Sequence, residues 1–293
     1  MKKFKGIILA GGVGSRLRPL TTVLSKQLLP IYDKPMIFYP LSVLMLAGIK
    51  EILIISSQDH INMFKDLLGD GSRIGLSLDY KVQLEPRGIA EAFILAEDFI
   101  GDNSCSLILG DNIFYGPSFT KLMKSAMRKN LGAEIFTYPV KNPEDFGILK
   151  CDQYGKPTDI VEKPSKYISN LAITGLYFFD NNCIELSKKI APSNRGELEI
   201  TSLLNIYLKE KKLSSNFLGR GFAWLDTGSH DSLIDAGLFV KTIENRQGQK
   251  IACIEEIAFN NGWIDEAQLK NQVNLYKKTE YGNYLKSLLE NNP

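Results

Sequence analysis

The sequence predicts an α/β protein whose core is a doubly wound, mostly parallel sheet, and three observations carry the prediction. Short apolar runs alternate with segments of helical period through the first half of the chain. The first of those runs, residues 7–10, stops abruptly at Gly11-Gly12-Val13-Gly14. At 293 residues the chain is long enough to bury one large α/β core and carry an attached segment.

The elements follow in order. Residues 7–10 read as a buried strand, 35–46 as a helix entered around Pro40, and 51–56 as a second strand. Ile61–Leu68 is helical, and 76–84 alternates as a strand ending at Gln83. Ile89, Ala92, Phe93, Ala96 and Phe99 fall at helical spacing and predict one helix over 89–99. Ser104–Leu109 is another buried strand, closed by Gly110-Asp111-Asn112. Phe119–Lys129 is a helix and 133–140 a strand. The character then changes: Gly147–Cys151, 159–161 and 172–179 are strands set apart by turn signals such as Gly155-Lys156-Pro157. Residues 198–210 are helical, 213–218 form a strand, 222–226 form a short one ending at Thr227-Gly228, and 230–246 are a long helix. The remainder, 247–293, predicts two short helical segments. The expected organisation is a main domain over 1–245, divided into an alternating part (1–140) and a β-rich part (141–245), with a helical C-terminal appendage over 246–293.

Composition narrows the function. Hydrophobic residues make up 44% and charged residues 23%, as in ordinary globular proteins. A net charge of only +2 argues against a dedicated nucleic-acid binder. No apolar run approaches the roughly 18 residues of a membrane span, and the run after the basic start is too short for a signal peptide, so a cytoplasmic location is expected. Cys105, Cys151, Cys183 and Cys253 stand tens of residues apart and read as thiols rather than a disulfide framework or zinc site. With only His60 and His230, neither a three-His metal site nor a His relay is expected. His60 reads as a surface-helix residue, and His230 either starts a helix or approaches the loop after Asp226.

The glycine run is the richest signal. Glycine permits dihedrals that other residues avoid and leaves N–H groups uncovered. Successive N–H groups in such a turn form an anion-binding nest. Arg16 and Arg18 follow at once and Lys26 a little later. The stretch reads as a phosphate grip at the C-terminal end of a first strand, where open α/β sheets bind ligands. Two common motifs fail on it: no Lys stands beside the glycines as a Walker A loop needs, and Leu17 takes the third glycine position of the dinucleotide fingerprint. That mismatch also removes the reading as a nicotinamide oxidoreductase. A plain tight turn remains the other reading of the loop taken alone.

Residues 9–20, followed by Lys26-Gln27-Leu28-Leu29-Pro30, resemble the signature of the sugar-nucleotide pyrophosphorylases, a nucleotidyltransferase family. The supporting stretches are Leu109-Gly110-Asp111-Asn112, Val161-Glu162-Lys163-Pro164, Thr174-Gly175-Leu176-Tyr177, Arg195-Gly196-Glu197-Leu198-Glu199-Ile200-Thr201 and Trp224-Leu225-Asp226-Thr227-Gly228. They span nearly the whole chain in the family's order. The run Ser25-Lys26-Gln27-Leu28-Leu29-Pro30-Ile31-Tyr32-Asp33-Lys34-Pro35 is most similar to the thymidylyl-transferring branch.

The resemblance implies a Rossmann-like sheet, with the β-rich part covering a sugar. It implies Mg²⁺-assisted attack of glucose 1-phosphate on the α-phosphorus of dTTP, giving dTDP-glucose and pyrophosphate for rhamnose-type sugar synthesis. The work is neutralising and aligning two polyanions, for which no strong base is needed. It implies nucleotide contacts from Gly11, Gly14, Ser15, Arg16, Lys26, Gln27, Gln83, Gly88 and Asp111. Arg16 would grip the β/γ phosphates, and Lys26 would reach the transferring centre. Lys163 would hold the sugar phosphate. Gln27, Gln83 and the backbone at Gly88 would read the base. Asn112, Gly147, Glu162, Ile173, Thr174 and Tyr177 would face the sugar, while Arg195 and Glu197 would organise a salt-bridged loop. Asp111 and Asp226, each closing a strand, would ligate Mg²⁺. A homotetramer is implied, with end-product inhibition at a second site near the C-terminal appendage and the Gly219-Arg220-Gly221 turn. The sequence departs from the family at Val13, Ser15, Arg87, Phe146, Leu171 and Ser202, with Arg87 and Leu171 bearing on fine specificity. Two alternatives stay open: a UTP-using uridylyltransferase and a catalytically inactive nucleotide-binding regulatory subunit.

Overall fold

The computed structural model describes residues 3–12, 14–129 and 132–290, so the departure at Val13 lies outside the described residues. β1 (Phe4–Ala10) leads through the glycine loop to a small hairpin, β2 (Pro30–Ile31) and β3 (Lys34–Pro35), and then to α1 (Phe38–Ala47). Next come β4 (Glu51–Ser57), α2 (Ile61–Leu68), β5 (Ser77–Gln83), α3 (Glu91–Leu95), α4 (Glu97–Ile100), β6 (Ser104–Leu109) and β7 (Asn112–Tyr115). α5 (Phe119–Lys129) precedes β8 (Ala133–Pro139), β9 (Gly147–Cys151), β10 (Pro157–Glu162) and β11 (Leu171–Phe179). The chain continues through α6 (Cys183–Lys188), α7 (Ile200–Lys209), β12 (Leu213–Phe217), β13 (Ala223–Asp226) and α8 (His230–Gln247). It closes with α9 (Ile254–Asn260), α10 (Glu266–Leu275) and α11 (Glu280–Glu290).

The main sheet runs β10-β9-β11-β6-β1-β4-β5, with β8 branching from β11 and carrying β12. β1 lies parallel to both β4 and β6, β4 to β5, and β12 to β8. β11 is antiparallel to β6, β8 and β9, and β10 is antiparallel to β9. Only β10 and β11 therefore oppose the common direction, as the expected mostly parallel sheet requires. Successive residues of each inner strand feed opposite faces. Ile8, Ile52 and Ile54 enter one apolar core with α1, α2, α5 and the C-terminal helices. Ile7, Leu53 and Ile55 enter another with α3, α6 and α7. Covering both faces is what makes these strands continuous apolar runs in sequence.

α1 is apolar all round because it is enclosed on all sides, packing against β1, β6 and β7 as well as α5 and α9. Pro40 is tolerated in its first turn, where no intrahelical N–H partner is needed. The expected single helix over 89–99 is instead two short ones that break at Ala96, although the Ala96 N–H still reaches the Ala92 carbonyl at 3.0 Å. The C-terminal segment has three helices, not two, and Cys253, Ile254, Ala258, Leu269 and Leu285 share the core under α1. β7 is a strand that sequence patterning did not reveal; it pairs antiparallel with β13 and places Asp226 opposite Asn112.

Candidate active site

β1 delivers the glycine loop to the edge of a 350 Å³ cavity. Gly14 adopts a left-handed conformation, and the Leu17 N–H bonds its carbonyl at 2.9 Å, closing a tight turn over Ser15–Leu17. Leu17 is buried against Leu29 and Met36, which anchors the turn and leaves Ser15 and Arg16 exposed along the cavity. Lys26 and Gln27 open a second tight turn and are buried, yet both line the same cavity. The Lys26 ammonium donates to Asp111 Oδ2 at 2.5 Å.

Asp111 sits in the turn between β6 and β7. Its other oxygen, Oδ1, accepts from Asn112 Nδ2 at 2.9 Å. Asn112 Oδ1 in turn accepts from the Trp224 indole at 2.6 Å and the Gly175 N–H at 3.0 Å. Asn112 is thus a buried brace that orients Asp111, and it also lines the second cavity described below, where the sugar is expected. Thr227 Oγ1 donates to the Asp111 carbonyl at 3.0 Å, tying the Asp226 loop to the same turn. Burial first, then the neighbouring Asp111 charge, pushes the Asp226 carboxyl above its usual pKa, while Lys26 and Arg16 oppose the rise. A Cβ on Gly228 would stand 3.1 Å from Arg16 Nη2 and 3.4 Å from Asp226 Oδ1, so this glycine makes room for both groups.

Arg16 and Asp111 also line a second cavity of 270 Å³ with Asp226, Glu162 and Lys163. Lys163 is held at a left-handed φ of 44°, a sparsely populated conformation for a residue with a side chain, while its N–H bonds the Phe146 carbonyl at 3.0 Å. Gly147 pairs with Glu162 across β9 and β10. A Cβ there would stand 2.8 Å from Thr201 Cγ2 and 3.3 Å from Glu162 Oε2. Glu162 accepts from Thr201 at 3.2 Å and from Arg195 at 3.3 Å. Burial, then the Glu199 charge, raises its pKa, against the pull of Thr201, Arg195 and Lys163. Arg195 also meets Glu197 at 3.6 Å and Glu199 at 2.8 Å, forming the expected salt-bridged loop. Alternation along β11 sends Ile173, Gly175 and Tyr177 to the cavity. It turns Thr174 to the opposite face, fully buried with its hydroxyl unpaired, so the expected sugar contact from this side chain is not formed.

The base-reading candidates lie beside the glycine loop. Gln83 is buried, with its Oε1 2.1 Å from where a Cβ on Gly11 would stand. Gly88 has a φ of 103°, and a Cβ on it would stand 2.5 Å from the Leu198 carbonyl oxygen, so its first constraint is close packing on that backbone. Gly11, Gln83 and Gly88 line neither cavity. The Arg87 guanidinium turns out to Glu85 at 3.1 Å. Leu171 and Ser202 line neither cavity, while Phe146 lines the second one beside Trp224.

Sequence reasoning omitted Asp145, Gly175, Glu199, Thr201 and Trp224 from the site, and all line the second cavity. Four of these fall inside the motif stretches: period-2 reading would have flagged Gly175 on β11 and Trp224 on β13, whereas Glu199 and Thr201 sit at the start of α7 and Asp145 carries no such signal. His60 precedes α2 rather than lying on it, with its Nδ1 2.9 Å from Ser57 Oγ. His230 is the exposed first residue of α8, whose start is capped by Ser229. All four cysteines are free. Among the described residues no helix is long and apolar enough to cross a membrane.

Among the described residues no group of three or more His, Cys, Asp or Glu is arranged as a metal cage. Asp111 and Asp226 instead offer two neighbouring carboxylates open to a cavity. Their mutual repulsion is felt in the raised Asp226 pKa. That donor set fits Mg²⁺, a hard cation that takes one or two carboxylates, retains waters and shares phosphate oxygens.

Residues 5–243 match the model of the nucleotidyl transferase family. The chain is 54% identical over 286 residues to a glucose-1-phosphate thymidylyltransferase of Neisseria meningitidis, covering 98% of this chain and 99% of that one. It is 48% identical over 288 residues to one of Mycobacterium tuberculosis, covering 98% and 100%. A Bacillus anthracis crystal structure described as a glucose-1-phosphate thymidylyltransferase in complex with sucrose superposes with a TM-score of 0.74 at 40% identity, covering 80% and 94%. A UDP-glucose pyrophosphorylase complexed with UDP-glucose superposes with a TM-score of 0.72 at 25% identity, covering 83% and 100%.

Proposed function

This chain belongs to the nucleotidyl transferase family, and from that premise we propose that it converts dTTP and glucose 1-phosphate into dTDP-glucose and pyrophosphate. The observation that carries the reading is the shared wall of the two cavities: Arg16 and Asp111 line both. One cavity, under the glycine loop, takes the triphosphate. The other, lined by Glu162, Lys163 and Tyr177, takes the sugar phosphate. The reacting phosphates meet at the shared wall.

The chain's residues supply alignment and charge. Exposed N–H groups at Gly12, Gly14 and Ser15 cradle phosphate oxygens. Arg16 bonds two oxygens of the departing pyrophosphate and offsets its growing charge. Lys26, fixed on Asp111, faces the α-phosphate. Lys163 holds the attacking phosphate in line, and Glu162 accepts from sugar hydroxyls. The attacking phosphate is already ionised, so no side chain must remove a proton. Mg²⁺ held by Asp111 and Asp226 would lower the charge on the phosphates as a Lewis acid.

The reading extends to a cytoplasmic homotetramer in rhamnose-type sugar synthesis, inhibited by its end product. Two features support that extension. Ile234 and Leu238, one turn apart on α8, are exposed apolar residues, as an interface between copies would use. A separate 540 Å³ cavity reaches from Ser42 and Leu46 of α1 to Lys250 and Ile257 and shares no lining residue with the other two. The 219–221 turn lies close to its rim, with Phe222 2.3 Å from where a Cβ on Gly116 would stand.

The test is pyrophosphate release from glucose 1-phosphate with dTTP, UTP, CTP, ATP and GTP in parallel. A dTTP preference abolished by Asp226→Asn is expected. Equal or faster use of UTP would make the chain a uridylyltransferase. Nucleotide binding without release would favour a regulatory subunit. A solution mass of only 32.8 kDa would remove the tetramer.

A further inference from the structure

Thr227 follows Asp226 directly and is fully buried, although its neighbours Asp226 and Gly228 each line a cavity. Its place follows from the pairing of β7 with β13. That antiparallel ladder joins two strands of four residues and ends with Asp226 opposite Asn112. One step further along the same register sets Thr227 opposite Asp111. Backbone pairing has stopped there, and the Thr227 hydroxyl takes its place, with Oγ1 donating to the Asp111 carbonyl at 3.0 Å. An isolated pair of short strands is marginal in itself, so the spacing of the two carboxylates at its end depends on what clamps that end. Further contacts complete the clamp. Thr227 Oγ1 lies 3.3 Å from the sulfur of Met36, a weak acceptor that leaves the hydroxyl proton to the carbonyl. Met36 is fully buried, and its N–H bonds the Leu29 carbonyl at 2.9 Å. The Leu29 N–H bonds the Lys26 carbonyl at 3.1 Å, and Lys26 bonds Asp111. The contacts form a closed ring: Thr227 to Asp111, Asp111 to Lys26, and the Lys26 turn through Met36 back to Thr227.

We propose that Thr227 is a positioning residue for the divalent cation: its hydroxyl sets the spacing of Asp111 and Asp226, and with it the affinity of the pair for Mg²⁺. This rests on the reading of Asp111 and Asp226 as Mg²⁺ ligands. Two carboxylates must be held side by side against their mutual repulsion before a cation arrives. A loop free to swing would have to be ordered on binding, which weakens the complex. Thr227 orders the loop beforehand. It supplies no ligand atom, because its hydroxyl is committed within the protein. Its action also differs from that of Asn112, which braces the side chain of one carboxylate, whereas Thr227 joins the backbones that carry both. Removing a residue that orients metal ligands from behind typically weakens metal binding by about 10–100-fold.

The experiment titrates Mn²⁺ alone into the full-length chain and follows the EPR signal of the free ion, in the unmodified protein and in Thr227→Val, Thr227→Ser and Asp226→Asn. Valine keeps the shape of threonine and removes the hydroxyl; serine keeps the hydroxyl and removes the methyl group. The Mn²⁺ dissociation constant is expected to rise about 10–100-fold in Thr227→Val and to stay near the unmodified value in Thr227→Ser. The Mg²⁺ concentration giving half-maximal pyrophosphate release should rise with it in Thr227→Val. A purely structural role reverses the order, with valine tolerated and the smaller serine impaired, and that order overturns the proposal. So does an unchanged Mn²⁺ affinity in Thr227→Val where Asp226→Asn abolishes uptake, an outcome that leaves the cation site standing. Uptake that is absent, or indifferent to Asp226→Asn, overturns the cation site and this proposal together. Should Thr227→Val fail to fold, Thr227→Ala removes the same hydroxyl and decides in the same way.

Discussion

Lys26 and Asp111 lie 85 positions apart in the chain and meet at 2.5 Å beneath the glycine loop. The Lys26 side chain is only 7% exposed. A cation placed there serves two purposes: it offsets negative charge where Asp111 and Asp226 come together, and it faces the cavity assigned to the triphosphate. Lys26→Met should lower kcat for pyrophosphate release by about 10²–10³-fold, the usual effect of deleting one preorganised charge-stabilising donor. Retention of more than a tenth of the unmodified turnover would remove Lys26 from the reacting centre.

Asn112 makes a different prediction. Its amide oxygen satisfies both the Trp224 indole and the Gly175 N–H, and its amino group holds Asp111. Asn112→Ala leaves two buried donors unpaired and Asp111 unbraced. Stability should fall by about 2–4 kcal/mol, since each unpaired buried group costs roughly 1–3 kcal/mol. Urea unfolding measures it. A sugar-contact role without bracing predicts instead a raised KM for glucose 1-phosphate and an unchanged urea midpoint.

The contrast between these two residues shows how much was legible in sequence. Asp111 and Asp226 were readable because each closes an apolar run within a motif, and Lys26 because it opens the Lys-Gln-Leu-Leu-Pro stretch of another. The alternating first half was readable because strands buried on both faces leave uninterrupted apolar stretches. The bracing role of Asn112 was hidden because its partners come from β11 and β13, far away in the chain, and no local pattern records them. Thr174 was misread because the motif names the segment while strand alternation decides the face. The break at Ala96 was hidden because the apolar spacing continues across it. Thr227 stands inside a motif but gave no role of its own, since only the fold brings its hydroxyl to Asp111.

Glu162 predicts opposite responses of stability and binding to pH. Burial and the Glu199 charge raise its pKa above the ordinary 4.5, so the folded state holds this proton more tightly than the unfolded chain. The unfolded chain loses its proton first as pH rises, and stability falls from the ordinary glutamate value up to the raised one, then levels off. Glu162→Gln should therefore be more stable than the unmodified protein at about pH 8, with the gap closing toward about pH 4. Its KM for glucose 1-phosphate should rise, because the carboxylate acceptor is lost. Thermal unfolding across that pH range tests the sign; a gap independent of pH would contradict it.

Gly88 carries a backbone prediction. Its φ of 103° and the Leu198 carbonyl 2.5 Å from any Cβ leave no room for alanine. The Leu198 N–H bonds the Arg87 carbonyl at 2.7 Å, and the Ala90 N–H bonds the Leu198 carbonyl at 3.1 Å, so this loop is sewn to the Arg195–Glu199 segment. Gly88→Ala should cost about 1–3 kcal/mol from strain alone and raise KM for both substrates, because the loop and the segment move together. A variant with normal stability and only a nucleotide effect would place Gly88 in base contact alone.

Glu244 tests the support behind the Lys26 turn. It lies on α8 and accepts from Lys34 at 2.9 Å, from Lys250 at 3.0 Å and from the Ile251 N–H at 2.9 Å, while Asp33 pairs with both lysines. The Lys34 side chain is 2% exposed and that of Glu244 5%. The cluster pins the β2–β3 hairpin, and with it the chain leaving Gln27, onto α8. Removing one member of a buried pair leaves an uncompensated charge, so Glu244→Ala should destabilise the protein by about 3–5 kcal/mol. Glu244→Gln keeps the acceptor for the Ile251 N–H and should lose less. The double variant Lys34→Met/Glu244→Leu removes both charges and should recover much of the loss, because apolar replacement of a buried ion pair is often neutral or better. If the double variant is less stable than Glu244→Ala, Lys34 is held by packing against Tyr39 rather than by its charge partner, and the cluster is not what fixes the hairpin.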